Sequence, residues 1–181
     1  GFMFVEMVNI HKLGVFLGNP VFSVAAVITS ILAFSGIGST LQGRIPLGPG
    51  RRIGIAGAAV TALFVISLVS FDPFVNTLAG TGLAVRFAAS VFFIAPYSFF
   101  MGWFFASGIE ILHREGDNEG VPLAWGINGF ASVAAAPLAT LLSMEIGFTL
   151  VLLCAALLYA AAASIGALKA PQDRTLSARP S

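Results

Sequence analysis

Apolar runs of about membrane-crossing length follow one another along almost the whole chain, and this leaves one solvent in which it can fold. A helix needs about 20 mostly apolar residues to cross the ~30 Å hydrocarbon core of a bilayer. Residues 21–41 and 53–71 contain no Asp, Glu, Lys or Arg at all. Charged residues make up 9% of the chain and hydrophobic residues 57%, with a mean hydropathy of +0.95. A soluble domain of 181 residues covers its surface with far more charge than that. The runs are continuous rather than alternating, and longer than the ~9–11-residue strands of a membrane barrel. The fold class implied is all-α: a polytopic membrane helix bundle of about six transmembrane helices.

The breaks between runs are marked by glycine, proline and charge. The first run, 1–18, ends at Gly18-Asn19-Pro20, where Pro20 disfavours helix at the residue before it. The second, 21–41, leads into a loop at 42–52 that holds Gly43, Pro46, Gly48, Pro49 and Gly50 with Arg44, Arg51 and Arg52. The third, 53–71, is expected to stop at Asp72-Pro73, leaving 74–83 as an interfacial turn or short helix. The fourth, 84–112, is the longest and most aromatic, with Pro96 in its middle as an expected kink. A charged loop follows at 113–120, then a fifth run at 123–144, a break at 145–147 and a sixth run at 148–168. The domain expected is therefore 1–168, with 169–181 as a disordered tail. No basic n-region precedes the first run and no cleavage site closes it, so it does not read as a signal peptide. The chain reads instead as the C-terminal piece of a longer protein.

Six spans place the loops 42–52 and 113–122 and the tail on one side, with Arg44, Arg51, Arg52, Arg114, Lys169, Arg174 and Arg179. The other side has only Arg86. The positive-inside rule then puts the first side and the C-terminus in the cytoplasm. The lipid bilayer is the first partner. A net charge of +1 with no basic block gives no reason to expect nucleic acid.

In lipid, helices associate where small residues let backbones approach. Ala131, Ala135 and Ala139 form such a row in the fifth span, flanked by Ser132, Ala136 and Thr140; the sixth has Ala156, Ala160 and Ser164. These two faces are the expected tight helix pair.

Polar groups at bilayer depth each need a reason, since a charge there costs about 2.5–3.5 kcal/mol on insertion scales. The first span carries Glu6, Asn9 and Lys12 along one face, while His11 points elsewhere. Two readings stand: a proton or cation site lining a cavity, for a small polar or cationic ligand, or a self-paired packing cluster with Lys12 snorkelling to the interface. Asn128, about one turn inside the fifth span, either bonds a backbone freed by the Pro96 kink or faces a cavity. Glu110 and Arg114, four apart, read as a solvated surface pair. Cys154, the single cysteine, allows no internal disulfide and no cysteine-based zinc site. Nucleotide-binding, zinc-protease and serine-hydrolase motifs are absent from the sequence. No catalytic site, cofactor or metal is expected in this chain.

Two stretches are familiar together. Gly1-Phe2-Met3-Phe4-Val5-Glu6, continuing through Phe16-Leu17-Gly18-Asn19-Pro20 to Phe34-Ser35-Gly36-Ile37-Gly38-Ser39, resembles the membrane segment after the catalytic domain of bacterial spermidine-synthase-like multi-pass membrane proteins. Trp125-Gly126-Ile127-Asn128-Gly129-Phe130-Ala131-Ser132, with Gly147-Phe148, resembles the last helices of the same proteins. His11-Lys12 stands where that family tends to have Gln-Arg, keeping a cation without Arg's planar fork. The resemblance implies upstream membrane and soluble domains, the latter an aminopropyltransferase-like or methyltransferase-like transferase using decarboxylated S-adenosylmethionine or a relative. The function implied for this segment is anchoring and substrate handling next to a polyamine enzyme. The alternative is half of a twelve-helix secondary transporter for a small polar or cationic solute, which intramembrane Glu6 and Lys12 would also suit.

Overall fold

The structure, a computed structural model, describes the backbone of residues 1–117 and 119–177 and the side chains of 1–117 and 119–167. Every regular element among the described residues is a helix: α1 (Phe2–Leu17), α2 (Pro20–Gln42), α3 (Pro49–Leu78), α4 (Leu83–Glu115), α5 (Gly120–Ile146) and α6 (Phe148–Ser177). The chain is a multi-pass helix bundle. α2, α3, α4, α5 and the Phe148–Ala167 part of α6 are long and apolar enough to cross a membrane. α1 has 16 residues, about 24 Å at 1.5 Å per residue, which is less than the ~30 Å core. α6 is helical to Ser177, so 169–177 of the expected tail are helix; 178–181 lie outside the described residues.

The first break is built from three consecutive residues. Gly18 turns left-handed at φ 71°, and its N–H returns to the Gly14 carbonyl at 3.1 Å, closing α1. Asn19 then accepts the Val21 N–H on its side-chain oxygen at 2.8 Å, capping α2. Pro20 takes the first helical position, where a missing N–H leaves no bond unmade.

α3 differs from its expected bounds at both ends. It begins at Pro49, another proline in the first turn, so Arg51 and Arg52 belong to the helix rather than to the loop. It also runs through Asp72 and Pro73 to Leu78, so the stretch expected to be a turn is mostly helix. Pro73 lies on an exposed side, and only one backbone hydrogen bond is lost there. The Thr77 hydroxyl donates to the Pro73 carbonyl at 2.7 Å one turn on. α4 and α5 likewise continue through Pro96 and Pro137.

The closest helix approaches are set by glycine. α2 and α4 pack along much of their length, and there Gly38 lies against the Phe99 carbonyl while Gly102 lies against the Ser35 carbonyl. The two contacts are reciprocal, and a Cβ at either glycine would run into backbone. α3 and α6 form the other extensive pair, with Gly57 against Ala163 and Gly166 against Ile53. This corrects the expected tight pairing of α5 with α6. Those helices touch, but α5 buries only Ala139 and Ser143 and stands at the edge of the bundle. The alanine rows still hold a Cβ on every residue, whereas the glycines let carbonyl meet Cα directly.

α1 packs against α2, α4, α5 and α6. An aromatic series joins α3 to α4 and α6: Phe74 stacks on Phe93 at 4.5 Å between ring centres, and Phe64 meets Tyr97 at 5.2 Å and Tyr159 at 5.9 Å.

Candidate functional site

The polar residues of α1 go to separate partners. Asn9 is buried at 7% exposure; its Nδ2 donates to the Val5 carbonyl at 2.7 Å, and its Oδ1 accepts from the Tyr97 hydroxyl at 3.0 Å. The amide therefore ties α1 to α4 deep in the bundle. Lys12 places Nζ 4.6 Å from the centre of the Phe71 ring, within electrostatic reach of the Asp72 carboxylate on α3. Phe71 and Asp72 lie near the end of α3, so Lys12 reaches towards that end of the bundle, as a snorkelling lysine does. Glu6 is half-buried, and no hydrogen bond or ion pair reaches its side chain among the described residues. His11 turns away, its Nδ1 at 2.7 Å from the Met7 carbonyl and its ring stacked on Phe148 at 5.5 Å.

Asn128 is not part of this group. It lies on the exposed surface of α5, and its side chain has no hydrogen bond among the described residues. The expected bond to a backbone near Pro96 is not formed. A ring contact, Phe105 against Trp125 at 4.5 Å, links these two helices.

A second polar constellation, at the Arg-rich end of the bundle, escaped the sequence reading. Arg52, 4% exposed, donates from Nη1 to Glu110 Oε2 at 2.6 Å and to Gln42 Oε1 at 3.1 Å, and from Nη2 to the Ile45 carbonyl at 2.9 Å. The Ser107 hydroxyl donates to the same Gln42 oxygen at 3.0 Å, and Arg114 donates to Glu110 Oε1 at 2.7 Å. The end of α2, the following loop, the start of α3 and the end of α4 are thereby joined through one guanidinium. The expectation of a solvated Glu110/Arg114 pair is corrected: Glu110 is shared between that exposed arginine and a buried one. The signal was Pro49. A proline at the first helical position moves Arg52 into the first turn of α3, where it faces inwards.

At the opposite end, Arg86 near the start of α4 donates to the Phe16 carbonyl at 2.9 Å. That carbonyl is in the last turn of α1, where a cation is favoured by the helix dipole.

The two ends thus hold structural clamps, and between them α1 presents the Glu6 carboxylate, which can take up a proton or hold a cationic group. Among the described residues, no three His, Cys, Asp or Glu side chains come together to hold a metal ion. No protein-family model, curated protein or solved structure matches the chain.

Proposed function

We propose that this chain is the membrane-embedded module of a spermidine-synthase-like integral membrane protein, anchoring it and handling a cationic substrate at Glu6. The anchoring half is supported by the membrane-length helices. The substrate half is supported by one observation: Glu6 is a half-buried acid on α1 with no partner among the described residues. Asn9, within one turn of it along α1, accepts from Tyr97 of α4 and holds α1 against that helix, so the carboxylate is presented from a fixed element. The stretches that resemble the family cover the α1-to-α2 turn, the Gly38 contact and the exposed start of α5. In this reading the membrane is the bacterial inner membrane, and the Arg52 end faces the cytoplasm with the C-terminus. A reporter fused after Ser181 that is active only outside the cytoplasm would overturn that orientation.

The transporter reading shares Glu6 and is favoured by a further observation: α3, α4 and α5 each contain an internal proline. Reconstituting the chain in proteoliposomes separates the two. Spermidine binding that is lost in Glu6→Gln, without net flux, supports the module. Flux that Glu6→Gln abolishes while the helical content stays unchanged supports the carrier. Neither binding nor flux reduces the chain to an anchor.

A further inference from the structure

We infer, resting on the module reading above, that the polypeptide before Gly1 continues α1 as one helix and lies on the α5 face of Ala124, Asn128, Ser132 and Ala135. Two contacts with α6 fix the direction of α1. His11 stacks on Phe148, the first residue of α6, and a Cβ at Gly1 would stand 3.1 Å from the ring of Tyr159, eleven residues later. Gly1 therefore lies about 16 Å in from the turn between α5 and α6, near the middle of a ~30 Å hydrocarbon core. α5 and α6 pack on each other and are joined through Gly147 alone, so they run in opposite senses. α1 and α5 then run in the same sense.

α5 is covered where α1 lies beside it and bare beyond. Counted back from Ile146, the level of Gly1 falls about ten residues along α5, near Ala136. The buried residues of α5, Ala139 and Ser143, are on the near side of that level. At 100° per residue, Asn128 stands within about 40° of Ser132, Ala135 and Ala139. One face is thus buried at Ala139, half-buried at Ala135 and Ser132, and exposed at Asn128. The Asn128 carboxamide has no hydrogen bond among the described residues, a costly state in lipid.

Continuity selects the occupant. α1, at 16 residues, falls short of the hydrocarbon thickness, and about eight more in the same helix reach the level of Asn128 and complete a span. Gly1 offers no side-chain cap, and the N–H groups of Phe2, Met3 and Phe4 open at mid-depth, away from water. The turn before Gly1 supplies their carbonyls. A second copy or an unconnected helix could cover Asn128, but only the polypeptide joined to Gly1 does both. The small side chains at 124, 132 and 135 let the two backbones come close, and the stretch opposite Asn128 carries the group that bonds its amide.

The test uses the parent protein, with its own upstream residues, in membranes. In a Cys154→Ser background, Ser132→Cys or Ala124→Cys is combined with single cysteines placed in turn at the positions before Gly1. Oxidation should link the Ser132→Cys variant within the chain to positions about four before Gly1, and the Ala124→Cys variant to positions about twelve before it, at a helical spacing. Val133→Cys, at a position 76% exposed on the opposite side of α5, should link to none of them. Amide exchange at Phe2, Met3 and Phe4 should be as slow as at Val8 and Leu13. Equal links from position 133, no link from 124 or 132, links only to a second copy or another polypeptide, or fast exchange at Phe2 to Phe4 would each overturn the proposal. Links in this register without spermidine binding leave the helix seat standing and remove the substrate reading. Spermidine binding that needs Glu6, without the links, removes the seat alone.

Discussion

Arg52, in the first turn of α3, and Glu110, near the end of α4, form an ion pair of 2.6 Å although they stand 58 residues apart in the chain. The guanidinium side is almost wholly enclosed, while the carboxylate keeps a 27% exposed edge from which it also holds Arg114. A charge taken out of water this far needs partners, and Gln42, Ile45 and Glu110 accept from its two Nη groups, while Nε stays buried without one. The pair therefore decides how the Arg-rich ends of α2, α3 and α4 are set against one another.

Removing one member should be worse than removing both. Glu110→Ala leaves Arg52 buried with its strongest acceptor gone and should cost about 2–4 kcal/mol, somewhat below the fully buried range because Glu110 is partly wet. The double variant Arg52→Met with Glu110→Met should recover much of that loss. Thermal unfolding in a defined detergent reads both, and a double variant less stable than either single one contradicts the assignment.

The glycine contacts separate glycines that matter from those that do not. Gly38→Ala and Gly102→Ala place a methyl against backbone carbonyls and should destabilise the bundle by about 1–3 kcal/mol or more. Gly36→Ala and Gly108→Ala, on the same two helices with open space at the Cβ, should be neutral or slightly stabilising. Similar melting temperatures for all four would show that α2 and α4 do not meet in this way.

Tyr97→Phe deletes the hydroxyl that donates to Asn9 and leaves the Asn9 oxygen buried with nothing to accept. The expected loss is about 1–2 kcal/mol, at the upper end for a bond between membrane helices. Faster hydrogen exchange in α1, with α3 and α6 unaffected, would locate the change to the α1/α4 contact.

Arg86→Met removes the cation from the last turn of α1, with an expected cost of about 0.3–2 kcal/mol. Arg86→Lys should restore part of this, since the dipole responds to charge as well as to hydrogen bonds. Fraying of α1 near Leu17 in the Met variant but not in the Lys variant is the signature to look for by site-directed labelling.

Much of the architecture was legible beforehand for a physical reason: backbone groups in hydrocarbon must bond within their own segment, so continuous apolar length means helix. Gly18, Asn19 and Pro20 announced their turn because each has a conformational role that acts locally. Pro49 and Pro73 were misjudged as breakers. A proline ends a helix only where the lost bond has no relief, and the first turn and an exposed edge both provide it. Of the polar candidates, Glu6 and Lys12 stayed separate, Asn9 found Tyr97, and Asn128 stayed exposed. None of those outcomes follows from spacing on one helix.

Hydropathy, breaks and caps, all properties of neighbours along the chain, were enough to establish from the sequence that the protein is a bundle of membrane-length helices. Which helices lie closest, which glycines are indispensable, and that a loop-edge arginine is buried against an acid 58 residues away were decided only by the tertiary structure. The reason is that lipid solvates every apolar face almost equally. Hydrophobicity then cannot rank one helix pairing over another, and the choice falls to backbone approach and polar bonds that exist only once the helices are side by side.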